Sequence, residues 1–510
     1  MKKQFFSALL VLFVSIAVAQ KDPVIDANRL HTYYEKIVKD WDVPGMSVGI
    51  IKDGKLVFTG NYGTKEVGKA QKPDENTLYA IASNSKAFTS AIIAMLVQEG
   101  KLKWDDKVKD ILPYFGLYGD PWISREVSIK DLLSHRVGLG TFSGDAIWYK
   151  SKLPAEELIQ LFAHVPQEYD FRDGYGYSNL MYITAGEVIK KVTGKSWGEN
   201  VEERILKPLG MNRTVTSLSE VKKKGNFATP HARKEGKNVP IEWVDWENVA
   251  ATGGIISSVN DVAKWMIFNL NHGINGKDTL LTTASRNMVW KIHNPFMVNH
   301  VNRDAADTHF RGYGLGWVLG DYKGSMRVYH TGGYDGFITT VNLLPDENIG
   351  VVVLTNGLKT PFMAAAQYAM DMALGKEAVD WSEKMLAQND ADVEDNRITQ
   401  IKKSRVLNTK PTHTPDKYAG SYFADTYGKI TVKEENGKLR LNFEHTPEYA
   451  ATLEHWHYDV WKINWDVMSA WYSFGTVQFN LDGNLKVKGM TFEVPNQDIF
   501  FEEIKPLKIE

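Results

Sequence analysis

"YAIASNSKAFTSAIIAML", residues 79–96, is the stretch on which the reading of this chain turns. It sets Ser83 and Lys86 three residues apart, where an apolar run passes into a helical pattern. From about Ser83 to Gln98 the side chains Phe88, Ala91, Ile92, Met95 and Leu96 recur on one helical face, and Gly100 stands where a helix stops. Residues three apart on a helix are neighbours, with Cβ atoms about 5–6 Å from each other. A serine hydroxyl is a weak nucleophile until a neighbour takes its proton. A lysine can take it only where burial or nearby cations hold the amine neutral. A helix N-terminus disfavours an ammonium and favours a developing oxyanion. The stretch therefore reads either as a nucleophile with its base or as an ordinary helix start containing both residues. The same spacing recurs at Ser219 and Lys222 in "SLSEVKKKG", a polar context in which an unreactive surface helix is expected.

Upstream, a helix is expected over about Val24 to Lys39. "GMSVGIIKDGKLVFTGNYG" (45–63) reads as two strands about Asp53-Gly54, because both positions of a tight hairpin turn need positive φ. Residues 105–310 are mixed and helix-leaning. They include amphipathic helices in "MYITAGEVIKKVTG", closed at Gly194, and "SVNDVAKWMIFNLNHG", closed at Gly273. From 312 onward "YGLGWVL", "SMRVYH", "FITTVNLLP" and "IGVVVLTN" are short strands with tight turns, the pattern of an antiparallel sheet. Residues 376–412 are charged, without a long apolar run, and read as a surface helix and linker. From Tyr418 the pattern is all-β, with turns expected at Asn436-Gly437 and Asp482-Gly483, and a small barrel or sandwich follows.

Lys and Arg number 60 against 62 Asp and Glu, a formal charge of −2 with no long basic run, so nucleic acid is not an expected partner. Lys2 and Lys3 precede an apolar run from Phe5 to Val18, and Ala17-Val18-Ala19 offers a small-residue cleavage site. This reads as a signal peptide over residues 1–19; an uncleaved anchor is the alternative, but the run falls short of the ~20 residues a spanning helix needs. The mature protein is expected to be periplasmic or secreted, with no stable membrane anchor. There are 0 cysteines, so no disulfide supports the fold. His455 and His457 share a strand face, but without an accompanying carboxylate pattern no metal site is expected, and no cofactor motif is present. Trp456, Trp461, Trp465 and Trp471 crowd the β module; they read as barrel core, or else as a surface that roofs a cleft or stacks on sugars.

Two further segments carry chemistry. "DGYGYSNLMYITAG" (173–186) projects Tyr177, Ser178 and Asn179 from a glycine-rich loop ahead of a helix. A tyrosine can serve as general acid or base, and an asparagine offers both donor and acceptor, though a packed tyrosine beside a helix cap fits equally. "RVYHTGGYDGF" (327–337) carries His330, Thr331, Gly332 and Gly333, whose glycines let a backbone N–H approach a ligand, or simply form a turn at a strand end.

Taken together, the order and spacing of Ser83–Lys86, Tyr177–Asn179 and His330–Gly332 resemble the penicillin-recognising serine hydrolases: class C β-lactamases, low-molecular-weight penicillin-binding proteins, D-aminopeptidases and related esterases. "VPGMSVGIIKDGKLV", "DLLSHRVGL", "AATGGIISSVNDVAKWM", "YGLGW" and "LLPDENIGVVVLTN" extend the resemblance over about residues 25–375. It implies an α/β (α+β) fold: an antiparallel sheet flanked by helices, with a helical subdomain and the site in the cleft between them. The expected division is a hydrolase domain over 20–375, a charged linker over 376–412 and an all-β, barrel-like domain over 413–510.

By the same resemblance, Ser83 is the acylated nucleophile and Lys86 and Tyr177 share base and acid duty. His330 sits beside the Tyr177 oxygen, Asn179 with Thr331 and Gly332 binds substrate, and the N–H groups of Ser83 and Gly333 form an oxyanion hole. The implied activity is hydrolysis of a small peptide, amide or ester through an acyl-enzyme, with a peptidase of D-aminopeptidase type first. A carboxylesterase or weak β-lactamase, or a penicillin-binding sensor that acylates without turnover, are the alternatives. Class C enzymes carry lysine where this chain has His330, and an imidazole of pKa ~6.5 lacks that permanent charge, which argues against a strong β-lactamase. Oligomerisation through the C-terminal module is left open.

Overall fold

The β-branched runs at 45–63 and 318–355 assemble into one sheet. The structure, a computed structural model, describes residues 25–298, 303, 306–389 and 393–509, so the expected leader at 1–19 lies outside the described residues. In chain order the elements that position the site are α1 (Ala27–Asp40), β1 (Gly45–Lys52), β2 (Lys55–Gly63), α2 (Ser85–Gln98), α3 (Asn179–Thr193), α4 (Val259–Leu270), β3 (Asn294–Phe296), β4 (Arg311–Tyr313), β5 (Val318–Tyr322), β6 (Ser325–Tyr334), β7 (Phe337–Leu344), β8 (Ile349–Thr355) and α5 (Phe362–Ala373). The eight strands lie in the order β2-β1-β8-β7-β6-β5-β4-β3. All neighbours are antiparallel, with Val48 opposite Val353 and Gly332 opposite Thr339. The first hairpin turns where expected: Asp53 and Gly54 have φ of 51° and 72°.

Both faces of the central strands are covered, which is why β8 reads as an unbroken apolar run rather than an alternation. Ile50, Val351 and Val353 pack with α1 and α5 through Leu30, Tyr34, Ile37, Ala365 and Ala369. Val352 and Leu354 belong to the opposite layer, with α2 and α4. Here the structure departs from the one-faced helix expected at 83–98. Every residue from Ser85 to Leu96 is buried, and the Phe88 ring stacks on Trp265 at 4.0 Å. A helix walled on all sides keeps polar side chains only where they have partners, so Ser85, Lys86, Thr89 and Ser90 each pose a question of what they bind. The first turn is also tighter than expected: Ala82–Asn84 is a 3₁₀ turn and the α-helix starts at Ser85.

The C-terminal strands close into an eight-stranded barrel. Asn436 and Gly437 form the expected turn, with φ of 54° and 80°. Asp482-Gly483 instead opens a longer loop in which Asp482 accepts from the N–H of Asn484 and Lys486 at 2.8 and 2.9 Å. The charged segment before the barrel is partly core. Trp381 is buried and its indole donates to Asp371 at 2.8 Å. The barrel packs on the larger domain: Glu503 accepts from Ser143 Oγ at 2.5 Å and from the Gly144 N–H at 2.6 Å.

Candidate active site

The turn ahead of α2 is held open by a strained residue. Ala82 has φ of 51°, a left-handed conformation that costs a non-glycine residue about 1–2 kcal/mol. The Asn84 amide holds the turn by donating to Ile81 O and to Thr339 Oγ1, each at 2.9 Å. β6 comes close enough that a Cβ on Gly332 would lie 2.4 Å from Ile81 O, so only glycine fits there. This contact sets the Gly332–Gly333 end of β6 beside Ser83.

Lys86, the second residue of α2, is 0% exposed. Its Nζ lies 3.0 Å from Ser83 Oγ, 2.8 Å from Asn179 Oδ1 and 2.7 Å from Thr252 O. Asn179 is oriented by Asp145, whose Oδ2 accepts from Asn179 Nδ2 at 2.6 Å, and Thr252 Oγ1 donates to Asn179 Oδ1 at 2.7 Å. Asp145 Oδ1 accepts from the Trp148 indole at 2.7 Å. Burial holds Lys86 well below the usual lysine range, opposed by Asp145. Burial also pushes the Asp145 carboxyl well above its usual range, opposed by the Trp148 and Asn179 donors.

The Tyr177 ring lies beneath Lys86, with Nζ 4.9 Å from its centroid, and against His135 at 4.4 Å. Its hydroxyl is near enough to Ser83 to be influenced by it, yet it is buried and makes no hydrogen bond among the described residues. Burial pushes this phenol well above 10, so it stays protonated. His135 Nδ1 accepts from the Ser178 N–H at 3.0 Å, and burial keeps the ring neutral.

The structure gives His330 other partners than the expected Tyr177 oxygen. Its Nε2 is 2.9 Å from Tyr313 OH and its Nδ1 is 2.5 Å from Thr331 O, while the His330 and Tyr177 ring centroids are 6.1 Å apart. With a carbonyl on Nδ1 and a hydroxyl on Nε2, the neutral Nδ1–H tautomer satisfies both. Burial and the neighbouring Lys86 push its pKa down to about 3.

Ser83, Lys86, Tyr177 and Asn179 thus converge, with Gly332 against the turn that carries Ser83. His330 and Thr331 line an adjoining cleft of about 660 Å³ together with Tyr177, Tyr175, Phe296 and Tyr313. Asp145, Thr252, His135 and Tyr313 were not singled out from the sequence. The first two lie in "SGDAIW" and "AATGG", and only the paired glycines of the second hint at a close approach. Of the four module tryptophans, Trp461 is buried barrel core and Trp456 packs with Ile398 and Phe474. Trp471 leaves the barrel: a Cβ on Gly333 would lie 3.1 Å from its ring, so the C-terminal domain touches the strand end beside Ser83. His455 Nε2 is 2.9 Å from Tyr458 O and His457 Nδ1 accepts from the Val406 N–H at 3.0 Å.

Residues 31–374 match the family model described as Beta-lactamase, and residues 404–506 match one described as a domain of unknown function, DUF3471. An unguisins hydrolase of Aspergillus campestris is 28% identical over 423 residues, covering 77% of this chain and 75% of that protein. The Protein flp of Staphylococcus aureus is 28% identical over 342 residues, covering 64% of this chain and 63% of that protein. Among solved structures, the octameric penicillin-binding protein homologue from Pyrococcus abyssi superposes with a TM-score of 0.62 at 22% identity, covering 95% of this chain and all of the other. That likeness extends through the barrel as well as the sheet.

Proposed function

The chain belongs to the beta-lactamase family of serine hydrolases, and from that premise we propose that it hydrolyses a peptide or related amide through an acyl-enzyme on Ser83. One observation carries the reading: the partners of Lys86. A neutral amine has two N–H groups and one lone pair. Asn179 Oδ1 and Thr252 O can only accept, so they take the two N–H groups. The lone pair is then left for Ser83, the one partner of the three that has a proton to give.

In the proposed cycle, Ser83 Oγ attacks the substrate carbonyl carbon and its proton passes to Lys86 Nζ. The N–H groups of Ser83 and Gly333 receive the oxyanion. As the carbonyl re-forms and the scissile bond breaks, the leaving group takes a proton from the Tyr177 phenol, which is replenished by the Lys86 ammonium. Water, deprotonated by the same pair, cleaves the ester and restores Ser83. The raised phenol and lowered amine divide the labour: Lys86 is the base and Tyr177 the donor. A neutral His330 offers no fixed cation to a carboxylate beside the nucleophile, which favours a peptidase or amidase over a β-lactamase. The apolar run behind Lys2 and Lys3 supports action outside the cytoplasm.

The test is a mass spectrum of the intact protein after a fluorophosphonate and, separately, after benzylpenicillin. An adduct on the Ser83 peptide that is absent from Ser83→Ala is expected. An adduct elsewhere, or none from the fluorophosphonate, overturns the proposal. Parallel turnover of p-nitrophenyl esters and D-amino-acid amides separates esterase from amidase.

A further inference from the structure

His330 is neutral, yet farther along the sheet stand two cations that no acid among the described residues neutralises. Arg311 of β4 and Arg327 of β6 stand in one cross-strand row, each paired in register with Gly320 of β5. The intervening glycine has no side chain, and both guanidinium groups lie over the Tyr329 ring, Arg311 at 5.8 Å and Arg327 at 4.0 Å from its centroid. Arg327 is 6% exposed. Its Nε and Nη2 donate to Asn342 Oδ1 at 3.0 and 2.6 Å, and its Nη1 donates to no acceptor among the described residues. Arg311 is only stacked, 5.4 Å from the Phe296 ring and 5.8 Å from the Tyr329 ring. Its Nε is buried and unpartnered, and neither arginine has a carboxylate partner among the described residues. Burial lowers the hold of Arg327 on its proton, and the neighbouring Arg311 acts in the same direction. Asp321, the acid in the same cavity, is already engaged by His309 Nδ1 at 2.7 Å and by the N–H groups of His309 and Phe310.

Both arginines line a cavity of about 350 Å³ between the sheet and α5. Arg311, Tyr329 and Met363 also line the cleft that reaches Tyr177 and His330. Unpaired buried guanidinium donors are costly, and the planar fork matches a carboxylate. We propose that Arg311 and Arg327 form a carboxylate subsite for the distal end of an extended peptide substrate. This rests on the serine-hydrolase reading above. From Arg327 to Gly332 and Gly333 is five or six residues along β6, about 17–20 Å at the rise of a strand. An extended peptide spans that distance with about five or six residues. The subsite therefore selects length as well as charge.

The experiment uses the full chain carrying Ser83→Ala, which prevents turnover. It is titrated calorimetrically with capped alanine peptides of two to seven residues, with a carboxylate at the C-terminus, at the N-terminus through a succinyl cap, or at neither. At five or six residues one acid series is expected to bind roughly 10- to 100-fold more tightly than its neutral counterpart, with no preference at two or three. Arg311→Gln and Arg327→Gln should each remove most of that preference. Equal binding of acid and neutral peptides at every length, or a preference that survives both substitutions, overturns the subsite. Fluorophosphonate labelling of Ser83 in the two arginine variants is expected at the wild-type rate. Arg311 is the less buried, so Arg311→Gln decides if Arg327→Gln fails to fold. Absence of labelling in the wild type refutes the nucleophile, whatever the titrations show.

Discussion

Ser83–Lys86 and Ser219–Lys222 have the same spacing in the same chain, each at the start of a helix, and they differ in almost everything else. Lys86 is fully buried against two carbonyl oxygens and a hydroxyl. Ser219 and Lys222 are exposed, and the Ser219 hydroxyl lies 2.9 Å from Ser217 Oγ instead of meeting the lysine. Spacing brings two side chains within reach, but it does not make one of them a base. Burial removes the water that stabilises an ammonium, and the acceptors around it fix the direction of the lone pair. The comparison says that reactivity belongs to the enclosure rather than to the motif.

The most direct way to break that comparison is to remove the members of the buried pair. Ser83→Ala or Lys86→Met should cost on the order of 10⁶ in kcat, measured on whichever amide or ester is turned over. In the proposed cycle, catalysis requires the neutral amine. Because burial lowers the Lys86 pKa, kcat/KM should rise with pH and level off well below the range of a free lysine. An acid limb that stays near pH 10 would put the proton on the wrong group. Next in size is the residue that aims Lys86. Asn179→Leu leaves Asp145 without its 2.6 Å donor and Lys86 without one acceptor. A loss of roughly 10²–10³-fold in kcat/KM is expected, smaller than removal of the base and within the range of general-base effects. A circular dichroism melt separates this loss from unfolding.

Enclosure has a cost in stability that sharpens the same point. His330 is held neutral with a pKa of about 3, against ~6.5 in an unfolded chain. A base with a depressed folded pKa binds fewer protons when native. Its contribution is therefore intact above pH 6.5 and is lost as pH falls from there toward 3. At pH 5 this amounts to about 2 kcal/mol from His330, and burial of His135 acts in the same direction. Urea melts between pH 8 and 5 should show that decline, and His330→Gln, which keeps a donor and an acceptor, should flatten part of it. An unchanged slope would mean that His330 is not enclosed as described.

The same distinction explains what the sequence could tell. Asp53-Gly54 was legible because a tight turn is a local matter of φ, and Ser83, Lys86, Tyr177, Asn179 and His330 were legible because side-chain chemistry left a spaced pattern. Thr252 meets Lys86 through its carbonyl, an atom every residue has, so that contact left no signal in the residue type. Asp145 reaches Lys86 through its charge and through Asn179, contacts between residues distant in the chain. His330 was assigned beside Tyr177, but Tyr313, at the end of β4, takes its Nε2, and nothing in the strand pattern specifies which phenol arrives. Trp381 was lost in a charged stretch because one aromatic residue does not make a periodic pattern, yet it anchors the segment leading to the barrel. Trp471 had two readings, core or roof, and only the packing against Gly333 favours the roof.

The smallest effect expected is also the strictest test of the comparison. Ser219→Ala and Lys222→Met, alone or together, should leave kcat and KM unchanged and shift stability by no more than ~0.5 kcal/mol, as for exposed positions generally. Both residues lie in a short surface helix, open to water. Among the described residues no carbonyl pair accepts from Lys222, so a fluorophosphonate should leave Ser219 unlabelled even when Ser83 is already alanine. Labelling of Ser219 in that background would show that a serine and a lysine at this spacing suffice without enclosure, and would take from Lys86 the special status that its three partners give it.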